Sequence, residues 1–205
     1  MQTRCKQCGG WIDLQRPGRP ADYCSNACRQ AAYRARKKLA QSPRAQFPAD
    51  LLDRPQWACS NRKRPITPSG RPASSTDPDT WNTYAACTAP GAAGNGVGMM
   101  TGRGVVCIDL DHCLDKRGHP NYHARRVLAA CKGAYVERSQ SGDGLHIWGY
   151  GDPGNHLQGS LGGKATGAIY RRGQFIVVTA NTYQPGRAVV LDLDAVAAIF
   201  KRERG

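Results

Sequence analysis

Residues 104–113, Gly104-Val105-Val106-Cys107-Ile108-Asp109-Leu110-Asp111-His112-Cys113, constrain the chain more than any other stretch. An apolar, β-branched run opened by a glycine reads as a strand, and side chains alternate across a strand. Val106, Ile108 and Leu110 therefore face a core, while Asp109 and Asp111 share the opposite face. Two residues of strand rise set their Cα atoms roughly 6 to 7 Å apart, a span from which both carboxylates reach one divalent ion or a pair of ions. Phosphoryl transfer uses such a pair. An isolated Asp-x-Asp also fits a strand end with solvated acids, so the choice depends on what else the chain carries.

A chain of 205 residues, 40% of them hydrophobic, has room for one medium domain and a small accessory one. Its formal charge of +14 favours a polyanionic partner, nucleic acid before a membrane surface. There is no apolar run long enough to span a bilayer, and Met1-Gln2-Thr3-Arg4-Cys5-Lys6 lacks the apolar core of a secretion signal. The expected location is the cytoplasm, where nine cysteines serve better as metal ligands than as disulfides.

Four of those cysteines sit at chelating spacing. Cys5-x-x-Cys8 and Cys24-x-x-x-Cys28 lie fifteen residues apart, and four thiolates satisfy the tetrahedral preference of a structural zinc ion with no open position. Residues 1–40 carry little more than Trp11, Ile12, Leu14 and Tyr23 to bury, so a metal would supply most of their stability. The chain then runs into a basic segment of high helix propensity, 29–39. Nine Lys or Arg against two Asp give residues 1–40 a net charge of +7. Arg29, Arg34, Arg36, Lys37 and Lys38 are candidates for salt-dependent phosphate contacts with nucleic acid, the alternative being a solvated helix face. Residues 41–56 lose periodicity and gain proline, which reads as a linker to a larger domain over 57–205.

Within the larger domain, Arg62-Lys63-Arg64 is a short basic stretch beside a strand. Asp77-Pro78 reads as a capped helix start, with Trp81, Tyr84 and Ala85 on one face. Met99 to Gly104 reads as a hairpin into the Asp109 strand, and Ala124, Val127, Leu128 and Cys131 as a helix ended by Gly133. His112, Cys113, His119 and His123 lack the spacing of a paired chelate, so no second zinc site is expected there.

Two further stretches bear on chemistry. In Tyr135 to Gly149, two strands flank a Ser141-Gly142-Asp143-Gly144 turn whose glycines let backbone N–H groups approach an anion. His146 follows, facing away from Leu145 and Ile147, where its imidazole can donate to a phosphate oxygen. Gly167 to Asn181 reads as a hairpin with a basic tip, Arg171-Arg172, either phosphate contacts or solvated turn residues. Asp194 is expected to cap a closing helix over 195–200.

Taken in order, Lys63-Arg64-Pro65-Ile66, the Ser75-to-Trp81 helix start, Gly104 to Asp111 with His112-Cys113, Ser139-x-Ser141-Gly-x-Gly-Leu-His146 and Ile169-Tyr170-x-Arg-Gly-x-Phe resemble the primase-polymerase domain of the archaeo-eukaryotic primase superfamily, in the forms carried by phages and plasmids. The likeness covers about residues 55–190. It implies an α/β (α+β), RRM-like core beside the small zinc module, with Asp109 and Asp111 holding magnesium or manganese and His146 contacting the incoming nucleotide. Lys63, Ser141, Gly142, Gly144, Arg171 and Arg172 complete the implied nucleotide site. The implied partners are nucleoside triphosphates, a single-stranded DNA template and a separate replicative helicase, with no membrane. One departure stands out: the family places a third acid just before the Tyr of the last hairpin, where this chain has Ala168. Glu137, Asp143 or Asp192 could replace it. The resemblance thus leaves two readings, a nucleotidyltransferase and a degenerate nucleotide- or DNA-binding protein. A third is a zinc-dependent regulatory factor that uses the larger domain as a scaffold.

Overall fold

The structure, a computed structural model, describes residues 3–12, 21–40 and 47–201. The chain forms two compact units, residues 1–45 and 46–205. In the first, β1 (Thr3–Arg4) pairs antiparallel with β2 (Trp11–Ile12). The turn between them is closed by Cys5 N–H on Gly10 O (2.8 Å) and Gly9 N–H on Cys5 O (2.9 Å). Gly9 takes φ +72° there, a conformation glycine adopts without steric cost. Helix α1 (Asn26–Ala40) starts where Ser25 Oγ accepts the Cys28 N–H at 3.2 Å, the N-cap bond that places Cys28 in the first turn.

The second unit stacks two sheets. β3 (Trp57–Asn61), β4 (Arg64–Ile66), β5 (Gly96–Met100) and β11 (Phe175–Val178) form an antiparallel sheet in the order β11-β5-β3-β4. The larger sheet contains β6 (Val105–Asp111), β7 (Tyr135–Arg138), β8 (Leu145–Tyr150), β9 (Leu157–Ser160), β10 (Thr166–Tyr170) and β12 (Thr182–Gln184). Its order is β12-β7-β8-β6-β10-β9, and β13 (Val189–Val190) adds parallel to β8. With α4 (Tyr122–Ala130) and α5 (Leu193–Lys201) this is a mixed, mostly sheet, α+β architecture.

Strand alternation decides what covers each face. Val106, Ile108 and Leu110 pack with Leu145, Ile147 and Ile169 against Val127 of α4 and Val196 and Ile199 of α5. Val105 and Cys107 point the other way, into a second core with Trp148, Trp57, Met99 and Ile176. Along that face β6 goes from fully buried at Val105 and Cys107 to part-buried at Asp109 and exposed at Asp111. The strand thus begins in the core between the sheets and ends at the surface, with its carboxylates at the mouth.

Several expectations need correction. Residues 47–56, assigned above to the linker, include part of the second core: α2 (Ala49–Leu52) buries Leu51 and Leu52. Phe47 meets Trp57, Tyr135 and Trp148 edge-on at ring-centre distances of 5.4, 5.3 and 5.5 Å. Truncating a ring held by three others leaves a cavity, so Phe47→Ala should cost about 3–5 kcal/mol in urea unfolding; a loss under ~1 kcal/mol would deny Phe47 that place. The helix expected after Asp77 is broken. Asp77 does cap, accepting from Asp79 N at 3.1 Å, but only for one 3-10 turn, Pro78–Thr80. Asn82 then exchanges two backbone hydrogen bonds with Trp57, which extends the chain before α3 (Tyr84–Thr88), capped by Thr83. Asp192, not Asp194, caps α5, accepting from Ala195 N at 2.9 Å.

The two expected hairpins, β5 to β6 and β10 to β11, are instead crossings from one sheet to the other. The crossings are tied together: Thr101 N–H bonds Gln174 O at 2.8 Å and Gly173 N–H bonds Thr101 O at 3.1 Å. A local pattern of strand, glycine turn and strand fits both outcomes, since it is silent on which sheet the second strand joins.

Candidate active site

Sheet register brings the candidate residues into rows on the face that emerges between the sheets. One row runs Glu137, His146, Asp109, Ala168, Gln158 across β7, β8, β6, β10 and β9. Asp111 lies one step further out, opposite Thr166. On the inner side, Tyr135, Trp148, Cys107 and Tyr170 form the preceding row. Period-two alternation on three paired strands is what puts the imidazole beside the carboxylates.

His146 Nε2 stands 3.7 Å from Asp109 Oδ1, with the two side chains 9% and 17% exposed. That oxygen is buried and makes no hydrogen bond. A buried acceptor left without a hydrogen bond costs about 1–3 kcal/mol, and a cation offers a closer partner than the imidazole at 3.7 Å. Burial pushes the Asp109 carboxyl above its ordinary range; His146 and Lys63 pull it down and Asp111 adds to the rise. For His146, burial works against protonation, yet its hydrogen bond to Glu137 and the charges of Glu137, Asp109 and Asp111 outweigh it and raise the imidazole. The donor set of two carboxylates, one with a free buried oxygen, suits a hard divalent cation.

Lys63 acts on Asp109 from the β3–β4 turn, where Arg62 and Lys63 hold φ +50° and +67°. Two non-glycine residues in the left-handed region mark a strained turn, a kind of strain that clusters at functional sites. The Ser139–Gly144 turn is tied up internally. Ser141 Oγ donates to Asp143 Oδ1 at 2.6 Å, and the other Asp143 oxygen meets His112 Nδ1 at 2.7 Å. Ser141 Oγ thus has Asp143 as an acceptor for its proton and Ser139 Oγ as a neighbour at 2.9 Å. Gly142 has φ +88° and open space around it, as an anion-facing turn requires. Gly144 is needed for packing: a Cβ there would sit 2.7 Å from Ser139 Oγ and 2.8 Å from Leu110 O.

The two arginines part company. Arg171 lies along the Asp152–Gly154 segment, with a long 3.5 Å contact to Asp152 O. Arg172 bonds Asn155 Oδ1 at 3.2 Å and lines a pocket of about 450 Å³ with Ser75, Thr76, Trp81, Thr101 and His156. His156 packs edge-on to Tyr170 at 5.4 Å, and burial with the Asp109 and Asp111 charges raises the Tyr170 phenol. The pocket therefore adjoins the carboxylate rows through His156 and Tyr170. Trp81 reads in the sequence only as part of a helix start, and His156 lies outside every motif quoted above, so neither points to a pocket.

In the first unit, the sulfurs of Cys5, Cys8, Cys24 and Cys28 all lie within 4.8 Å of one another. Cys8 to Cys24 is 3.6 Å and Cys24 to Cys28 3.5 Å, close to the roughly 3.8 Å edge of a tetrahedron with ~2.3 Å zinc–sulfur bonds. The backbone N–H of Cys24 helps pull the Cys5 thiol down to about 6, while hydrogen bonds to Cys28 and Cys8 push Cys24 up to about 12. Four thiols this close need a cation to be thiolates together. Arg29 and Arg34 are exposed on α1; the side chains of Arg36, Lys37 and Lys38 lie outside the described residues.

Comparison with known proteins fits this geometry. The family described as bifunctional DNA primase/polymerase, N-terminal, matches residues 35–198. The chain belongs to that family. A DNA primase-polymerase of Nitratiruptor phage NrS-1 is 32% identical over 152 residues, 68% of this chain and 21% of that protein. The chain thus spans about a fifth of the length of this primase-polymerase. At the place where the superfamily resemblance leads one to look for a third acid, Ala168 lies directly beside Asp109. The alternatives are occupied elsewhere: Glu137 is fully buried beyond His146, Asp143 holds His112, and Asp192 caps α5.

Proposed function

We propose that the chain binds a nucleoside triphosphate with a divalent cation and transfers its nucleotidyl group onto a DNA-templated primer end. The observation that carries this reading is the convergence of Asp109, Asp111 and His146 around a buried carboxylate oxygen that makes no hydrogen bond. Magnesium or manganese held by Asp109 and Asp111 would offset phosphate charge and polarise the α-phosphate. His146 Nε2 points into the same space and, with the ring protonated at both nitrogens, donates to a phosphate oxygen, while Lys63 adds a positive charge from the β3–β4 turn. The pocket of Trp81, Ser75, Thr76 and Arg172 takes the sugar and base. In the reaction, a 3′-hydroxyl attacks the α-phosphorus: the new oxygen–phosphorus bond forms as the bond to the β-phosphate oxygen breaks, the hydroxyl proton passes to solvent, and pyrophosphate leaves. The layout we propose is RRM-like, with helices on one face and chemistry on the other. Single-stranded DNA is the proposed template, with a separate helicase as partner and the host cytoplasm as location. Among the described residues no helix is long and apolar enough to cross a membrane.

For the first unit we propose a structural zinc ion on the four cysteines and nucleic-acid contacts from α1. The supporting features are the sulfur spacing and the net charge of residues 1–40.

The test is incorporation of labelled nucleotide on a primed single-stranded DNA template, with and without magnesium or manganese. Metal-dependent extension supports the reading. No extension by folded protein points to the second reading, binding without chemistry, which the carboxylate-poor place beside Asp109 favours. Ala168→Glu separates the two. Ala168 is nearly buried between Asp109 and Gln158, so an acid there adds a third carboxylate to the row. Extension, or manganese affinity if extension is absent, is expected to rise about tenfold, the effect of one added ligand worth roughly 1.4 kcal/mol. An unchanged manganese affinity would place residue 168 outside the cation's reach.

A further inference from the structure

Glu137 is a buried acid that the proposed chemistry does not use. It is 0% exposed, and four donors surround its carboxylate. Oε1 faces His146 Nδ1 at 3.1 Å and Trp148 Nε1 at 3.3 Å. Oε2 faces the backbone nitrogens of Thr179 at 3.2 Å and Ala180 at 2.8 Å. The indole and the two amides can only donate. Between a carboxyl group and an imidazole the shared proton resides on the ring, the more basic partner.

We infer that Glu137 is a positioning residue: it fixes the proton on His146 Nδ1 and so reserves Nε2 for the ligand in the carboxylate pocket. The arrangement is built across the sheet. Glu137 and His146 are register partners on β7 and β8, and Asp109 is the partner of His146 on its other side. The ring therefore stands between two carboxylates with different tasks. Glu137 has both oxygens engaged, whereas Asp109 keeps one free. The anchoring runs further, because the Thr179 and Ala180 amides that hold Oε2 directly follow β11, a strand of the other sheet. Ala180 is in the left-handed region at φ +50°, a conformation an alanine takes at a cost, and it delivers its N–H to the carboxylate. The orientation of His146 is thus set by both sheets at once, and a bent or displaced β11 end would turn the imidazole.

The role of Nε2 toward a phosphate rests on the proposed function; the Nδ1 assignment does not. Both are tested on the full chain labelled with 15N-histidine. The chain has five histidines, and His146→Asn identifies the resonances that belong to His146. At neutral pH Nδ1 should read as protonated. A bare Nδ1 with a protonated Nε2 would overturn the inference, and this reading needs no variant of Glu137. In Glu137→Gln one oxygen becomes an NH2 group, which meets donors whichever side it faces. The His146 ring should then lose its fixed Nδ1–H contact and orientation, and affinity for a non-hydrolysable triphosphate with manganese should fall about tenfold, the loss of one charge-assisted hydrogen bond from Nε2. The drop should not add to that of His146→Asn, since both act through one contact. Wild-type affinity in a folded Glu137→Gln protein would reduce Glu137 to a packing role. Protein that binds no triphosphate at all, with Nδ1 protonated, would sink the proposed function and leave the Nδ1 assignment standing.

Discussion

Changing both Asp109 and Asp111 to Asn should lower templated nucleotide incorporation by about a thousandfold or more. Each substitution keeps the shape of the side chain and removes the charge that would hold a divalent cation, and a thousandfold corresponds to roughly 4 kcal/mol of transition-state stabilisation. The fold should survive, because neither carboxylate makes a structural contact comparable to those of Glu137. Asp109 Oδ1 has no hydrogen bond to lose, and Asp111 is exposed. Removing the buried charge of Asp109 should even stabilise the metal-free protein slightly, so a strongly unfolded double variant would count against the placement described here. The same burial sets a pH dependence. A carboxyl raised by desolvation takes up its proton at higher pH than an exposed aspartate does. Cation affinity should therefore weaken as pH falls through that raised value, while the metal-free fold gains stability from the same protonation. Calorimetric titration with manganese over a pH series reads the first effect, and urea unfolding the second.

Loss of the cysteine cluster should have an effect of similar size, confined to the first unit. Cys24→Ser removes the sulfur that lies 3.6 and 3.5 Å from two of its partners. Structural zinc contributes about 10–16 kcal/mol of apparent binding free energy in small fingers. The described part of the first unit buries few large apolar side chains, with Trp11 and Tyr33 both exposed, so nothing else replaces that contribution. The expected result is collapse of the amide dispersion for residues 1–45 in an NMR spectrum, with the signals of residues 46–205 in place. Chelation or acidification should reproduce it, since protons compete with the metal for thiolates. Salt-sensitive binding to single-stranded DNA should weaken together with that collapse if α1 supplies phosphate contacts. Retention of a dispersed first unit after zinc removal would show that the four sulfurs do not need a cation.

How much of this was legible in the sequence differs from residue to residue. The β6 strand and its two faces could be read directly, because Val106, Ile108 and Leu110 alternate with Asp109 and Asp111 over a run too regular for a loop. His146 was placed on the correct face by the same rule, and register did the rest by setting it opposite Asp109. The cysteine pairs were legible because chelation depends on local spacing. What escaped was non-local. Phe47 sits among prolines and polar residues and looks like linker, yet its ring is enclosed by three aromatic side chains from distant parts of the chain. The crossings at 101–104 and 171–174 look like hairpins because a turn has the same residues whether its strands pair with each other or with different sheets. The glycine-rich setting of Ser141 suggests a nucleotide contact, but says nothing of the hydrogen bond it makes to Asp143, two residues on. Glu137 appeared only as a possible stand-in for a missing acid. Its real surroundings depend on β11, more than thirty-five residues away.

The departure at Ala168 has a physical consequence as well. Across the row, His146 and Ala168 flank Asp109, so charge is concentrated on the β8 side and the β10 side offers a methyl group. A cation at the proposed site would be held from Asp109 and Asp111, with Gln158 as the next polar side chain in the row beyond Ala168.

Diffraction from crystals soaked with manganese and a non-hydrolysable nucleoside triphosphate, recorded for anomalous signal, tests the arrangement most directly. It should reveal an ion touching Asp109 Oδ1 and the Asp111 carboxylate, with a phosphate oxygen at His146 Nε2. An ion and triphosphate bound away from these three side chains, or a triphosphate on the opposite face of the larger sheet, would contradict it.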